Sequence, residues 1–123
     1  MKTSAQLCNI NPDEIRARRL SGTVFSLSAV IITLYEIFLT TNFFVILLAF
    51  LLWFAGFYGL LQAKYRFCAS YGFSGIDNTD GTMKRVQGSI RREYFWHSAK
   101  IAGQAFALAG SASLLVYIFS QMV

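Results

Sequence analysis

Charge is what the middle and the end of this chain lack. Between Arg19 and Lys64 the only charged residue is Glu36, and after Lys100 there is none. A soluble fold could not cover that much apolar surface with so few charges. Cysteine occurs twice, at Cys8 and Cys68, and histidine once, at His97. No Ser-His-Asp set, phosphate-cradling glycine loop or zinc-protease helix appears, and the apolar segments hold too few polar groups for an ordinary catalytic pocket. A non-enzymatic protein is the expectation, with no cofactor.

What is present is three long apolar runs. Hydrophobic residues make up 55% of 123 residues, with a mean hydropathy of +0.49. A bilayer span takes about 20 apolar residues, and Leu20–Leu39, Phe43–Ala63 and roughly Ser98–Gln121 each supply them. The fold class read from this is all-α and integral to a membrane. One domain, residues 1–123, holds a transmembrane hairpin, spans of about 20–39 and 43–63, then a third at about 98–121. A loop of about 64–97 carries an interfacial amphipathic segment before the third span.

The eleven Lys and Arg residues flank these runs on one side. They are Lys2, Arg16, Arg18, Arg19, Lys64, Arg66, Lys84, Arg85, Arg91, Arg92 and Lys100. Thr40–Asn42 and the C-terminal tail have none. The positive-inside rule then makes the loop and the N-terminus cytoplasmic and puts the C-terminus outside, in a bacterial inner membrane. It also accounts for the net charge of +5 without nucleic acid. Anionic lipid head groups are the expected polar partners, at about 1 kcal/mol per basic residue near the surface. The first apolar run has no clear small-residue cleavage site, so it reads as a span and not as a signal peptide.

Asn11-Pro12-Asp13-Glu14 is a helix start: Asn11 caps, Pro12 suits the first position, and two acids favour the positive end of the dipole. A first helix from near Pro12 to about Leu39, a turn at Thr40-Thr41-Asn42 and a second helix from about Phe43 follow. Residues 67–76 are too apolar for a solvated loop and should lie in the interface or tuck against the bundle. Asp77-Asn78-Thr79-Asp80-Gly81 reads as a turn. Thr79, Asp80 or Thr82 should cap a helix passing through Met83–Trp96 into the third span.

Small residues recur at four-residue spacing: Gly22 and Ser26 in the first helix; Ala55, Gly59 and Ala63 in the second; Ala99, Gly103, Ala107 and Ser111 in the third. Such spacing lets helix backbones approach closely in lipid. It predicts packing within the chain, or docking of a partner or second copy on the third helix. The aromatic set Phe43, Phe44, Phe50, Trp53, Phe54 and Phe57 should face lipid or a bulky neighbour. Glu36 lies about one turn from the end of the first helix, within reach of water. Gln104 should bond another helix.

Cys8, Cys68 and His97 share the basic side. Two thiols and an imidazole could meet a thiophilic metal, although no fourth ligand and no compact spacing accompany them. His97 alone is a candidate axial ligand for a haem or chlorin. On the cytoplasmic side the thiols are expected reduced.

Residues 8–76 resemble the small membrane domain of YgaP-type inner-membrane rhodanese proteins. The shared pattern is the arginines Arg16, Arg18 and Arg19, then Gly22, a tight hydrophobic hairpin, and the exit run Phe67-Cys68, Tyr71, Gly75-Ile76. Ala69 stands where that family usually has proline, a third span is added, and no rhodanese domain is present. The resemblance implies an integral-membrane, often self-associating hairpin and does not license a sulfur-transfer activity here. The third-helix stripe, the aromatic face and the lack of catalytic polar groups make the leading expectation a small accessory or assembly subunit that packs against a larger membrane complex or a second copy of itself. Cysteine-dependent sulfur, redox or soft-metal handling and a small oligomeric transporter or channel using Glu36 and Gln104 are the alternatives.

Overall fold

The computed structural model describes residues 9–39, 42–79 and 82–122. Its elements, in chain order, are α1 (Pro12–Phe38), α2 (Phe43–Tyr65), α3 (Ala69–Ser74), β1 (Ile76–Asp77), β2 (Lys84–Arg85) and α4 (Ser89–Met122). Among them α1, α2 and α4 are long and apolar enough to cross a membrane.

Local chemistry sets the helix ends. Asn11 accepts the amide of Glu14 at 2.9 Å, with Pro12 at the first helical position. Asn42 does the same for Val45 at 3.0 Å. Each side-chain oxygen takes an amide that no helical carbonyl can reach. At the far end of α2, Arg66 adopts a left-handed conformation (φ 55°) and its amide returns to the carbonyls of Ala63 and Gln62. That tight stop throws Phe67 and Cys68 back beneath the bundle.

α2 is the central helix, packed on α1 along one side and on α4 along the other. Its contact with α1 is backbone on backbone. A methyl group added to Gly22 would stand 2.7 Å from the amide nitrogen of Leu60, and one on Gly56 would meet the backbone of Ser26 at 3.0 Å. Along the spans the buried residues are mostly small: Gly22 and Ala29 in α1, Ala49, Gly56 and Gly59 in α2, Ala105 and Ala109 in α4. Large side chains such as Leu27, Ile31, Phe44, Leu51 and Leu115 point outward. The bulky core sits at the basic end instead, where Phe67, Ala69, Tyr94 and Ile101 cluster with Tyr58, Leu61, Tyr65 and Val86. An arrangement with small residues inside and large ones outside is what lipid demands, since lipid gives no drive to hide leucine.

Two expectations need correction. The segment through Met83–Trp96 is not helical throughout: Lys84–Arg85 pairs antiparallel with Ile76–Asp77, and α4 begins only at Ser89. Thr79 and Thr82 therefore do not cap it, and Asp80 lies outside the described residues. The reason is glycine geometry. Gly75 (φ 72°) ends α3 and Gly88 (φ 69°) precedes α4, both left-handed, a conformation glycine takes without steric strain. Between them Val86 donates to the Gly75 carbonyl at 2.8 Å. The all-helical expectation also omitted this small ribbon. Once begun, α4 runs 34 residues without a break, about 51 Å at ~1.5 Å per residue. A hydrocarbon core is only about 30 Å thick, so α4 is long enough to hold an interfacial segment and a crossing in one helix.

Candidate functional site

Asn9, Gln62, Asn78, His97 and Ser98, all buried, converge where α2 ends. Asn9 is fully buried, and its side chain brackets the main chain of Cys68. Its Oδ1 accepts the Cys68 amide at 2.7 Å and its Nδ2 donates to the Cys68 carbonyl at 3.1 Å. Its own carbonyl accepts the amide of Asn78 at 2.8 Å. One asparagine thus ties the N-terminal arm to the exit of α2 and to the ribbon. Gln62, also buried, extends the network by accepting the Ala69 amide at 3.0 Å, which fixes the start of α3.

Around the Cys68 thiol stand α1 side chains. Arg18 Nη2 donates to Sγ at 3.2 Å and lies 3.9 Å from Glu14. Glu14 accepts Nδ2 of Asn78 at 2.5 Å and the Tyr71 hydroxyl. Burial, and then the Glu14 carboxylate, push the Tyr71 phenol above its ordinary range. Cys68 is only 3% exposed, so a reagent reaches its sulfur only by displacing the arm or Arg18.

His97 sits beside this knot in an aromatic box. Its ring meets Phe67 edge-on at 4.5 Å and Tyr65 at 5.4 Å. It is 4% exposed, and Nε2 is buried without a hydrogen-bond partner. The adjacent Ser98 hydroxyl turns back to the Tyr94 carbonyl at 2.8 Å. Gly72 of α3 lies so close that an added methyl would collide with that hydroxyl and with the Phe67 ring.

The structure places the other sequence candidates as follows. Gln104 accepts the Tyr65 hydroxyl at 3.1 Å, joining α4 to α2. Glu36 does not reach water from the end of α1 but is 2% exposed. It continues the seam of Gly22 and Ala29 at seven-residue intervals, the spacing that keeps a side chain facing one partner helix. Gly22, Ser26, Gly59 and Ala63 lie on or beside the α1–α2 seam, with Gly56 closer to α1 than the half-buried Ala55. In α4 the buried face is Tyr94, His97, Ser98, Ile101, Ala105 and Ala109, on the opposite side of the helix from the expected stripe. Ala99 is half-buried, whereas Gly103, Ala107 and Ser111 are exposed, and a methyl on Gly103 would meet nothing within 4 Å. Of the aromatic set, Phe43 and Phe44 face outward. Phe50 packs on Phe106 of α4 at 5.6 Å, and Trp53 donates to Thr33 of α1 at 3.0 Å.

Cys8 lies outside the described residues. Among the described residues no group of three histidine, cysteine or acidic side chains could hold a metal ion. Asn9 and Gln62 were missed from sequence. Gln62 had a signal, as the one amide side chain in residues 43–63; Asn9 had none, since its partners come from 59 and 69 residues away. Set against known protein families, curated proteins and solved structures, the chain matches none of them.

Proposed function

We propose that this chain is a small, non-enzymatic, multi-pass membrane protein of the bacterial inner membrane. Its basic end faces the cytoplasm, its C-terminus lies outside, and it serves as an accessory or assembly subunit. The outer face of α4 docks on a larger membrane complex or on a second copy. The observation that carries this reading is a contrast between glycines. Gly22, Gly56 and Gly59 are filled by the facing backbone of the same chain, while Gly103 and Gly110 have open space above them. Small residues on a lipid-exposed face permit a further helix to approach. The resemblance to self-associating membrane hairpins supports a second copy as one form of partner.

The test is to weigh the native particle in mild detergent. An assembly heavier than one chain is expected, and Gly103→Ile should reduce it to a monomer with unchanged helix content. A wild-type chain that stays a lone monomer sinks the proposal.

One contact favours a second reading, in which cysteine handles sulfane sulfur, a redox signal or a soft metal. The Arg18 guanidinium donates to the Cys68 sulfur at 3.2 Å, and a cation beside sulfur is a feature of reactive cysteines. Replacing Cys8 and Cys68 together with serine, with no change in metal content or phenotype, would remove it.

A further inference from the structure

Two lysines from different helices converge on one tyrosine. The Lys64 ammonium lies 5.7 Å from the centroid of the Tyr65 ring and the Lys100 ammonium 5.4 Å from the same centroid. The two charges therefore stand no more than the sum of those distances apart, about 11 Å. That upper limit is comparable with the Debye length of about 8 Å at physiological salt, so an anion placed between the two ammonium groups feels both. Neither lysine belongs to an ion pair among the described residues; both ion pairs lie at the start of α1. The ring beneath the lysines is fixed: its hydroxyl bonds Gln104 at 3.1 Å and its edge packs on His97 at 5.4 Å. Attraction of each cation to the ring face holds it there at modest strength. The outcome is a double positive charge, preorganised by α2 and α4 together and lacking an anion.

We infer that Lys64 and Lys100 clamp the phosphate of one anionic phospholipid at the junction of α2 and α4. This rests on the membrane reading above. Depth and surroundings identify the source of the phosphate. Tyr65 ends α2 at the basic border of the apolar span. Trp96, 64% exposed, lies four residues before Lys100, one turn along the same face of α4. It packs edge-on with Phe95, which packs on Phe73 of α3. Tryptophan and tyrosine settle at head-group depth, and basic sites between helices on the cytoplasmic side are where anionic head groups bind. Further along α4 the exposed ring of Phe106, braced by Phe50 of α2, offers acyl chains an apolar wall.

The full chain is first tested for resistance to alkaline extraction from its native membrane. It is then titrated in detergent by native mass spectrometry with dioleoyl-phosphatidylglycerol, dioleoyl-phosphatidylcholine and inorganic phosphate. One phosphatidylglycerol should be retained, phosphatidylcholine should not, and equimolar phosphate should fail to displace the lipid. Lys64→Gln with Lys100→Gln should weaken retention about thirtyfold, from two basic residues near the surface. Lys84→Gln with Arg85→Gln, the same charge change elsewhere, should not. Lys64→Arg with Lys100→Arg keeps both charges and should bind, which separates lost charge from lost fold. A chain released by alkali overturns the membrane reading and the site with it. An integral chain whose glutamine pair binds like wild type, or no worse than the Lys84/Arg85 control, overturns the site alone. So does equal retention of phosphatidylcholine, or displacement by free phosphate.

Discussion

The Cα of Gly22 in α1 lies 3.0 Å from the point where a methyl group on Gly59 of α2 would stand. Real side chains do not pack so tightly without movement, so the hairpin closes only because both positions lack a Cβ. Gly59→Ala should push the helices apart and destabilise the hairpin by about 1–3 kcal/mol, the usual range for overpacking. Gly103→Ala should leave the fold of the single chain intact, because nothing stands within 4 Å of the added carbon. Unfolding in sodium dodecyl sulfate, followed by circular dichroism, measures both. Equal stability of the two variants would remove the close contact as the element that holds α1 to α2.

Asn9 should control access to Cys68. Its side chain accepts the Cys68 amide and shares the Cys68 carbonyl with the amide of Gly72, and a buried amide left unpaired costs about 1–3 kcal/mol. In a Cys8→Ser background, which leaves one thiol, Asn9→Ala should loosen the arm and speed maleimide labelling of Cys68 by tenfold or more, roughly the labelling equivalent of one such group. Unchanged labelling would show that the arm does not shut in the thiol.

Legibility in the sequence follows how local each interaction is. The caps at Asn11 and Asn42 and the three apolar helices are set by neighbours within a few residues, and they could be read directly. The start of α4 could not. Met83–Trp96 has helical composition, and what prevents a helix over its first half is pairing of Lys84–Arg85 with a strand eight residues upstream, between two left-handed glycines. The α4 stripe shows a different limit. Spacing revealed a small-residue face through Gly103, Ala107 and Ser111, but which face meets α2 was decided elsewhere. Phe67, thrown back by the left-handed Arg66, packs on Tyr94 and His97 and so fixes the rotation of α4. The Asn9–Cys68–Glu14–Asn78 knot is made of contacts between residues as far as 69 positions apart, and no spacing rule reaches that far.

Tyr71 gives the fold a dependence on alkaline pH. Burial comes first and the Glu14 carboxylate second in raising its phenol, while Arg18 pulls less strongly the other way. A group whose folded pKa is raised holds its proton more tightly in the folded state. Its contribution is therefore complete below the ordinary tyrosine value of 10.0 and is lost as pH climbs through the folded value. The tyrosinate absorbance of wild type minus that of Tyr71→Phe should appear at a higher pH than free tyrosine. Glu14→Gln, which removes the nearby negative charge, should move it back toward the ordinary value. A Tyr71 that titrates as free tyrosine in both backgrounds would contradict the contact with Glu14.

The two ends of the chain should lie in different compartments. α1, α2 and α4 are each long and apolar enough to cross, and an odd number of crossings separates the ends. Direction follows from charge. The start of α1 carries Arg16, Arg18 and Arg19, the end of α2 carries Lys64 and Arg66, and the start of α4 carries Arg91 and Arg92; the last turn of α4 has no basic residue. Cytoplasmic retention of Lys and Arg near span ends should then put the N-terminus inside. A fluorescent protein that folds only in the cytoplasm should report at the N-terminus, and alkaline phosphatase, active only outside, at the C-terminus. Because the far side carries no opposing charge, Ser120→Lys with Gln121→Lys should reduce the C-terminal phosphatase signal by holding the end of α4 inside. Phosphatase activity at both ends, or at neither, would mean that an even number of the three helices crosses the membrane, against this reading.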